Sequence, residues 1–177
     1  MVRQLRAALN RGENYDLILV MDDLDCHVAE EREKLFRDTI NAVLGEFPDM
    51  QSDRMVIGFA APEIEAWLIA DWSNTFAKDL DFRAHHGAMR HCLASQHNVS
   101  FAEPENFSTL DEKKDACEEK LSALIMEAAL DEANVHYSKA VHTPRLLQEM
   151  LVPVVIGKCP LFRQWYRELE KFIPQEQ

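Results

Sequence analysis

The stretch that most constrains this chain is Tyr15–Cys26, YDLILVMDDLDC. Leu17, Ile18, Leu19, Val20 and Met21 form an unbroken apolar run that ends in three acids, Asp22, Asp23 and Asp25. A run of this length, entered through a polar turn at Gly12–Asn14 and left through carboxylates, predicts a buried parallel strand. Ligands of open α/β sheets sit just beyond the carboxyl ends of such strands. Side chains alternate along a strand, so Asp23 and Asp25 are expected to point the same way where it ends. Converging carboxylates repel one another, and a bound divalent cation relieves that repulsion. The plainer reading is that Asp22, Asp23 and Asp25 only end the strand and cap the next helix.

A second apolar run, Met55–Ala60 (MVIGFA), follows a helical stripe made by Val28, Leu35, Phe36, Ile40, Val43, Leu44 and Phe47, and a loop at Pro48–Asp53. Strand, helix and strand in this order predict a right-handed βαβ unit, hence an α/β fold. Glu30, Glu31 and Glu33 open the intervening helix, where its dipole favours anions. Pro62 then suits the first position of a further helix, with Glu63 and Glu65 in its first turn and Ile64, Trp67 and Leu68 as its buried stripe. That helix starts on the same sheet edge as Asp23 and Asp25. Residues two apart on a helix are about 200° apart, so one glutamate, Glu63 or Glu65, is expected to reach the acidic edge directly. Stabilisation of the helix start is the plainer role for both. Asp71, in the last turn where the dipole disfavours an anion, caps the next segment or serves function.

At 177 residues and 47% hydrophobic content the chain suits one folded domain. It divides into an acidic core over 15–72, a helical insertion over 73–134 and a helical C-terminal part over 135–177. No run approaches the ~18 apolar residues of a membrane span. Met1–Arg11 is basic but lacks the apolar segment of a secretory signal. Cys26, Cys92, Cys117 and Cys159 lie far apart without a CxxC pair, which suits free thiols in a reducing cytoplasm. Asn98-Val-Ser100 fits a glycosylation sequon, without consequence there. The net charge of −12 repels nucleic acid unless metal, a local basic face or a partner compensates.

The remaining segments carry weaker signals. Val2–Leu9 has helical spacing. Arg83–Ser95 reads as a partly exposed polar helix; its His85, His86, His91 and Cys92 lack the spacing of a zinc site. Pro104–Ser108 reads as a loop. Thr109 and Glu112 resemble a capping box opening a helix to about Ala133. Val135–Lys139 is a short turn or strand ending in a lysine, and Lys139 and His142 fall in a connection. Thr143-Pro144 predicts an N-cap and first turn of a helix reaching Leu151. Val154–Ile156 is a short apolar run. Cys159-Pro160 opens a last helix with Leu161, Phe162, Trp165, Leu169 and Phe172 inward.

Four motifs in order, VMDDLDC, PEIEAWLIAD, YSKAVHTP and KCPLFRQWYREL, together resemble TOPRIM-like proteins encoded beside ABC-type, SMC-like ATPases in bacterial anti-phage operons. The resemblance spans about Tyr15 to Phe172. It implies a TOPRIM-like (Rossmann-like) parallel sheet flanked by helices, binding Mg²⁺ or Mn²⁺ through Asp23 and Asp25, with Asp22 beside them. It also implies an acid on the following helix, Glu65 or Glu63, a lysine, Lys139, and an ATPase partner. TOPRIM domains carry a further glutamate after an earlier strand. Glu13, immediately before the Asp-bearing strand, does not correspond to it, so the chain is a truncated or split member, another subunit supplies that strand, or the protein is not a catalyst.

The chemistry expected is metal-assisted hydrolysis of DNA or RNA phosphodiesters, with Lys139 stabilising charge on the phosphate; the plainer reading of Lys139 is a surface lysine. Two rivals stand beside it. One is a regulatory or scaffold subunit held by the ATPase, with homo-oligomerisation also open. The other is a haloacid-dehalogenase-type phosphatase, with Asp23 as nucleophile and Asp25 as acid–base, although His27 stands where that family has a small hydroxylated residue.

Overall fold

The computed structural model describes residues 2–11, 15–47 and 54–173. The expected turn at Gly12–Asn14, Glu13 within it, and the loop Pro48–Asp53 lie outside the described residues. In chain order the elements are α1 (Val2–Leu9), β1 (Ile18–Asp23), α2 (Ala29–Leu44), β2 (Met55–Ala60) and α3 (Glu65–Ala70). Then come α4 (His86–Gln96), β3 (Leu110–Asp111), β4 (Ala116–Cys117), α5 (Leu121–Ala133), α6 (His142–Glu149), α7 (Val152–Lys158) and α8 (Pro160–Glu170). A 3₁₀ turn at Pro104–Asn106 precedes β3.

The two apolar runs pair in parallel through the α2 crossover, Ile18 opposite Met55 and Asp23 opposite Ala60. This register brings both carboxyl ends to one edge, so the residues after β2 meet those after β1. The fold is therefore mixed α/β, with a small parallel sheet flanked by helices and a helical C-terminal part. Among the described residues the parallel sheet has these two strands alone.

The largest core lies outside the sheet. Leu68, Ile69 and Trp72 pack with Phe76, Phe82, Met89 and Leu93, and with Leu121 and Ile125 of α5. Each such side chain, fully buried, contributes about 1.5–3 kcal/mol, and residues 73–134 share this core with α3, Tyr137 and Leu146. A second cluster joins Ala60 and Trp67 to Val155, Cys159 and Phe162 of α7 and α8. Gly58 makes the docking of α8 on β2 possible. A Cβ there would stand 2.1 Å from Cδ1 of Trp165, inside any permitted contact.

Three expectations are corrected, and one apolar run is placed. The capping-box helix from Thr109 is a β3–β4 hairpin, and α5 starts at Leu121. Asp111 explains the difference: its carboxylate accepts the Lys113 N–H at 3.0 Å and closes an Asx turn that competes with helix. The helix expected from Thr143 begins at His142, with Val141 as N-cap, and Thr143 turns its hydroxyl elsewhere. The run Val154–Ile156 belongs to helix α7. Finally, Cys26 and Cys117 form a disulfide across a sequence separation of 91, while Cys92 and Cys159 are free and buried. Sequence spacing carries no information on a bridge closed by the fold, because pairing requires only Cα atoms about 4.4–6.8 Å apart; here they are 5.2 Å apart.

Candidate functional site

At the carboxyl edge of the sheet three carboxylates meet one lysine. Asp23, the last residue of β1, accepts the Ile64 N–H at 2.9 Å through Oδ1, and its Oδ2 lies 3.8 Å from Nζ of Lys139. Glu65 Oε2 lies 3.0 Å from the same ammonium and Glu63 Oε1 3.7 Å. Glu63 and Glu65 are 2% and 0% exposed. Lys139 reaches them from the connection before α6, with its side chain still 38% exposed.

Both glutamates reach the centre because α3 begins only at Glu65. Ala61-Pro62 is cis and the chain turns through Glu63 and Ile64 before the helix starts. The expected separation of about 200° thus does not apply to Glu63, which lies outside the helix.

Asp25 is placed differently from the expectation. The strand ends at Asp23, and Asp25 and Cys26 adopt φ of 50° and 65°, the left-handed conformation that Asp tolerates better than most residues. Strand alternation has ended there, and Asp25 turns to Lys120, 3.6 Å away. Asp22 is exposed and accepts the neighbouring Asp23 N–H at 3.1 Å. Neither lies among the acids around Lys139.

Buried hydroxyls fix the glutamates, and sequence reasoning missed them. Glu63 accepts the Ser122 N–H at 2.8 Å and its hydroxyl at 3.1 Å, satisfying the first turn of α5. Glu65 Oε1 accepts the Thr143 hydroxyl at 3.0 Å. With that proton given to Glu65, Tyr137, 2.6 Å from Thr143 Oγ1, donates its own to Thr143. The signal lay in YSKAVHTP, but the Thr-Pro pair read locally as a helix start. His142 stacks on Tyr137, with ring centroids 5.4 Å apart, and Asp71 accepts the Leu151 N–H at 2.7 Å. Asp71 is a structural clamp between α3 and the start of α7.

The electrostatics follow from crowding and burial. Burial pushes Asp23 up to about 6, reinforced by Glu65 and Glu63 and opposed by the Ile64 N–H and Lys139. Burial acts against the Lys139 charge, but Glu65, Glu63 and Asp23 outweigh it and hold its pKa above the usual lysine value. Burial also raises Tyr137, so its phenol stays a donor at neutral pH.

A match to the family described as a domain of unknown function, DUF4276, runs over residues 1–170. The chain belongs to that family. No curated protein and no solved structure matches it. All of the residues around Lys139 lie within the matched span.

The donor set fits a hard divalent cation in its chemistry: three carboxylates, two of them buried, face a single positive charge. As arranged, the ammonium stands where the carboxylates converge, and among the described residues no three His, Cys, Asp or Glu side chains are grouped to hold an ion. Among the described residues no helix is long and apolar enough to cross a membrane.

Proposed function

We propose that this chain is a metal-dependent, TOPRIM-like nuclease, hydrolysing DNA or RNA phosphodiesters as the effector subunit working with an ABC-type ATPase in anti-phage defence. The observation that carries the reading is the charge imbalance around Lys139. Buried carboxylates are costly unless paired, and a single ammonium faces three carboxylates, two of them buried. Asp23, Glu63 and Glu65 would hold Mg²⁺ or Mn²⁺. Such an ion supplies Lewis acidity and a more acidic bound water.

The chain's own groups have defined tasks. Asp23, anchored through Oδ1 by the Ile64 N–H, leaves Oδ2 facing Lys139 as its free acceptor. Lys139 remains protonated and places its ammonium against the charge that develops on a phosphate oxygen. Glu65, locked by Thr143 and Tyr137, fixes the position of that ammonium. Glu63, bound to Ser122, ties the centre to α5.

A second reading, a catalytically incomplete subunit that regulates or scaffolds the ATPase, is favoured by one observation: the ammonium fills the point of convergence and no three donors among the described residues are grouped for an ion. Plasmid nicking and RNA cleavage with Mn²⁺ or Mg²⁺ separate the two. Cleavage lost in Asp23→Ala supports the nuclease. Silence of the wild-type chain with both metals, alone and with the ATPase, rejects it in favour of the scaffold.

A further inference from the structure

The Lys139 centre is acidic, in a chain already at −12, so a polyanionic substrate needs a separate surface to hold it. We propose that the exposed face of α4 is that surface, a track for a nucleic-acid backbone. The purpose of this track rests on the nuclease reading, but its existence does not. The chain has 31 acidic residues, and none lies between Phe82 and Ala102, its longest stretch free of them. That stretch carries Arg83, Arg90, His85, His86, His91 and His97.

The helix sorts these residues by face. Met89, Cys92 and Leu93 are buried, while Gly87, Arg90, His91 and Ala94, at helical spacing i, i+3, i+4 and i+7, are all exposed. A Cβ on Gly87 would meet nothing within 4 Å, so the surface at the start of the helix is open. Arg83 and Arg90 make no ion pair among the described residues, whereas Arg6, Arg37 and Arg145 are all paired. Arg90 lies 4.4 Å over the Phe101 ring, which fixes its plane and leaves its edge donors for a phosphate.

The surroundings leave the face positive. Glu127, Asp131 and Glu132 of α5 act on Cys92, hence on the buried side of α4. Asp79 and Asp81, which precede the track, are bound by Arg145. Phe82, adjacent to Arg83, packs on His142 and Tyr137 at ring separations of 5.3 and 6.2 Å, and Tyr137 belongs to the wall that holds Glu65. A strip of exposed basic side chains with no carboxylate among them fits the repeating phosphates of a nucleic-acid backbone better than an acidic protein, whose charges are not evenly spaced.

The test is fluorescence anisotropy of a labelled 20-nucleotide single-stranded DNA with the full chain in EDTA, where no cleavage occurs, across a salt series. Arg83→Glu/Arg90→Glu is expected to weaken binding at least tenfold and to reduce the salt slope by about 1–2. Arg3→Glu/Arg167→Glu, an equal charge change on exposed positions elsewhere, should cost less than threefold. Arg83→Gln/Arg90→Gln, with its fold checked by circular dichroism, should lose affinity in the same direction. No binding by the wild-type chain, equal losses in the two Glu doubles, or stronger competition by poly-glutamate than by unlabelled DNA overturns the track. Arg83/Arg90-dependent binding in a chain that cleaves nothing leaves the track standing and removes only the nuclease reading.

Discussion

Two basic residues six positions apart, Lys139 and Arg145, each gather carboxylates, and they do so in opposite ways. Arg145 bonds Asp79 at 2.7 and 2.8 Å and Asp81 at 2.6 Å. These contacts are short, both hydrogen bonds come from Nη2 while Nε only ion-pairs with Asp79, and Asp81 lies at the surface. The Lys139 contacts run from 3.0 to 3.8 Å, and three carboxylates share one ammonium, two of them without solvent. A guanidinium fork saturates its partners geometrically. A lysine at the focus of three carboxylates leaves acceptor capacity and negative charge unspent. The first pattern is that of a structural clamp, the second that of a site built to meet something else.

Removing each cation should break the comparison most sharply. Lys139→Met should lower any metal-dependent cleavage by about 100-fold or more and lower the melting temperature, because Glu65 is left buried beside no positive charge. Arg145→Met should cost about 1–3 kcal/mol of stability with cleavage within threefold of wild type. Equal effects of the two substitutions on cleavage would erase the distinction.

Asp23→Asn sharpens it through pH. The folded-state pKa of Asp23 is about 6 against an ordinary 3.8, so the folded protein retains this proton where the unfolded chain has released it. The penalty is absent below about pH 4, grows as pH rises toward 6 and is complete above that. Asp23→Asn should therefore be more stable than wild type above pH 6, by at most about 3 kcal/mol of unfolding free energy, with the difference vanishing toward pH 4. Melting curves of both proteins from pH 4 to 8 measure it; a constant offset would show that ionisation is not its source.

Smaller effects are expected for the supporting groups. Thr143→Val should cost about 1–2 kcal/mol by leaving Glu65 Oε1 without its short donor, and Thr143→Ser should recover most of it in urea unfolding. Lys120→Ala, which frees Asp25 from an exposed pair, should change stability by no more than about 0.5 kcal/mol. It should also leave cleavage intact, whereas a large loss would return Asp25 to the centre.

The α/β class was readable because the runs Leu17–Met21 and Met55–Ala60 are continuous, apolar and separated by a helical stripe. The acidic edge was readable for the same reason: Asp23, Glu63 and Glu65 follow strands whose parallel pairing carries them together. What stayed hidden depended on contacts distant in sequence. Asp25 could not be separated from Asp23 without its left-handed backbone. Thr143 read as a helix cap because its partner, Glu65, lies 78 residues away. The Thr109 helix failed because local periodicity outweighed the Asx turn at Asp111. Cys26 and Cys117 looked unrelated until the hairpin met the loop after β1.

Gly58 bears on how such a chain can change over generations. Its single hydrogen is the space that the indole of Trp165 uses, so the two positions behave as one heritable unit despite their distance in the chain. A lineage that acquires any side chain at 58 must first shrink or move residue 165. Until it does, the C-terminal helix keeps a permanent veto over the central strand.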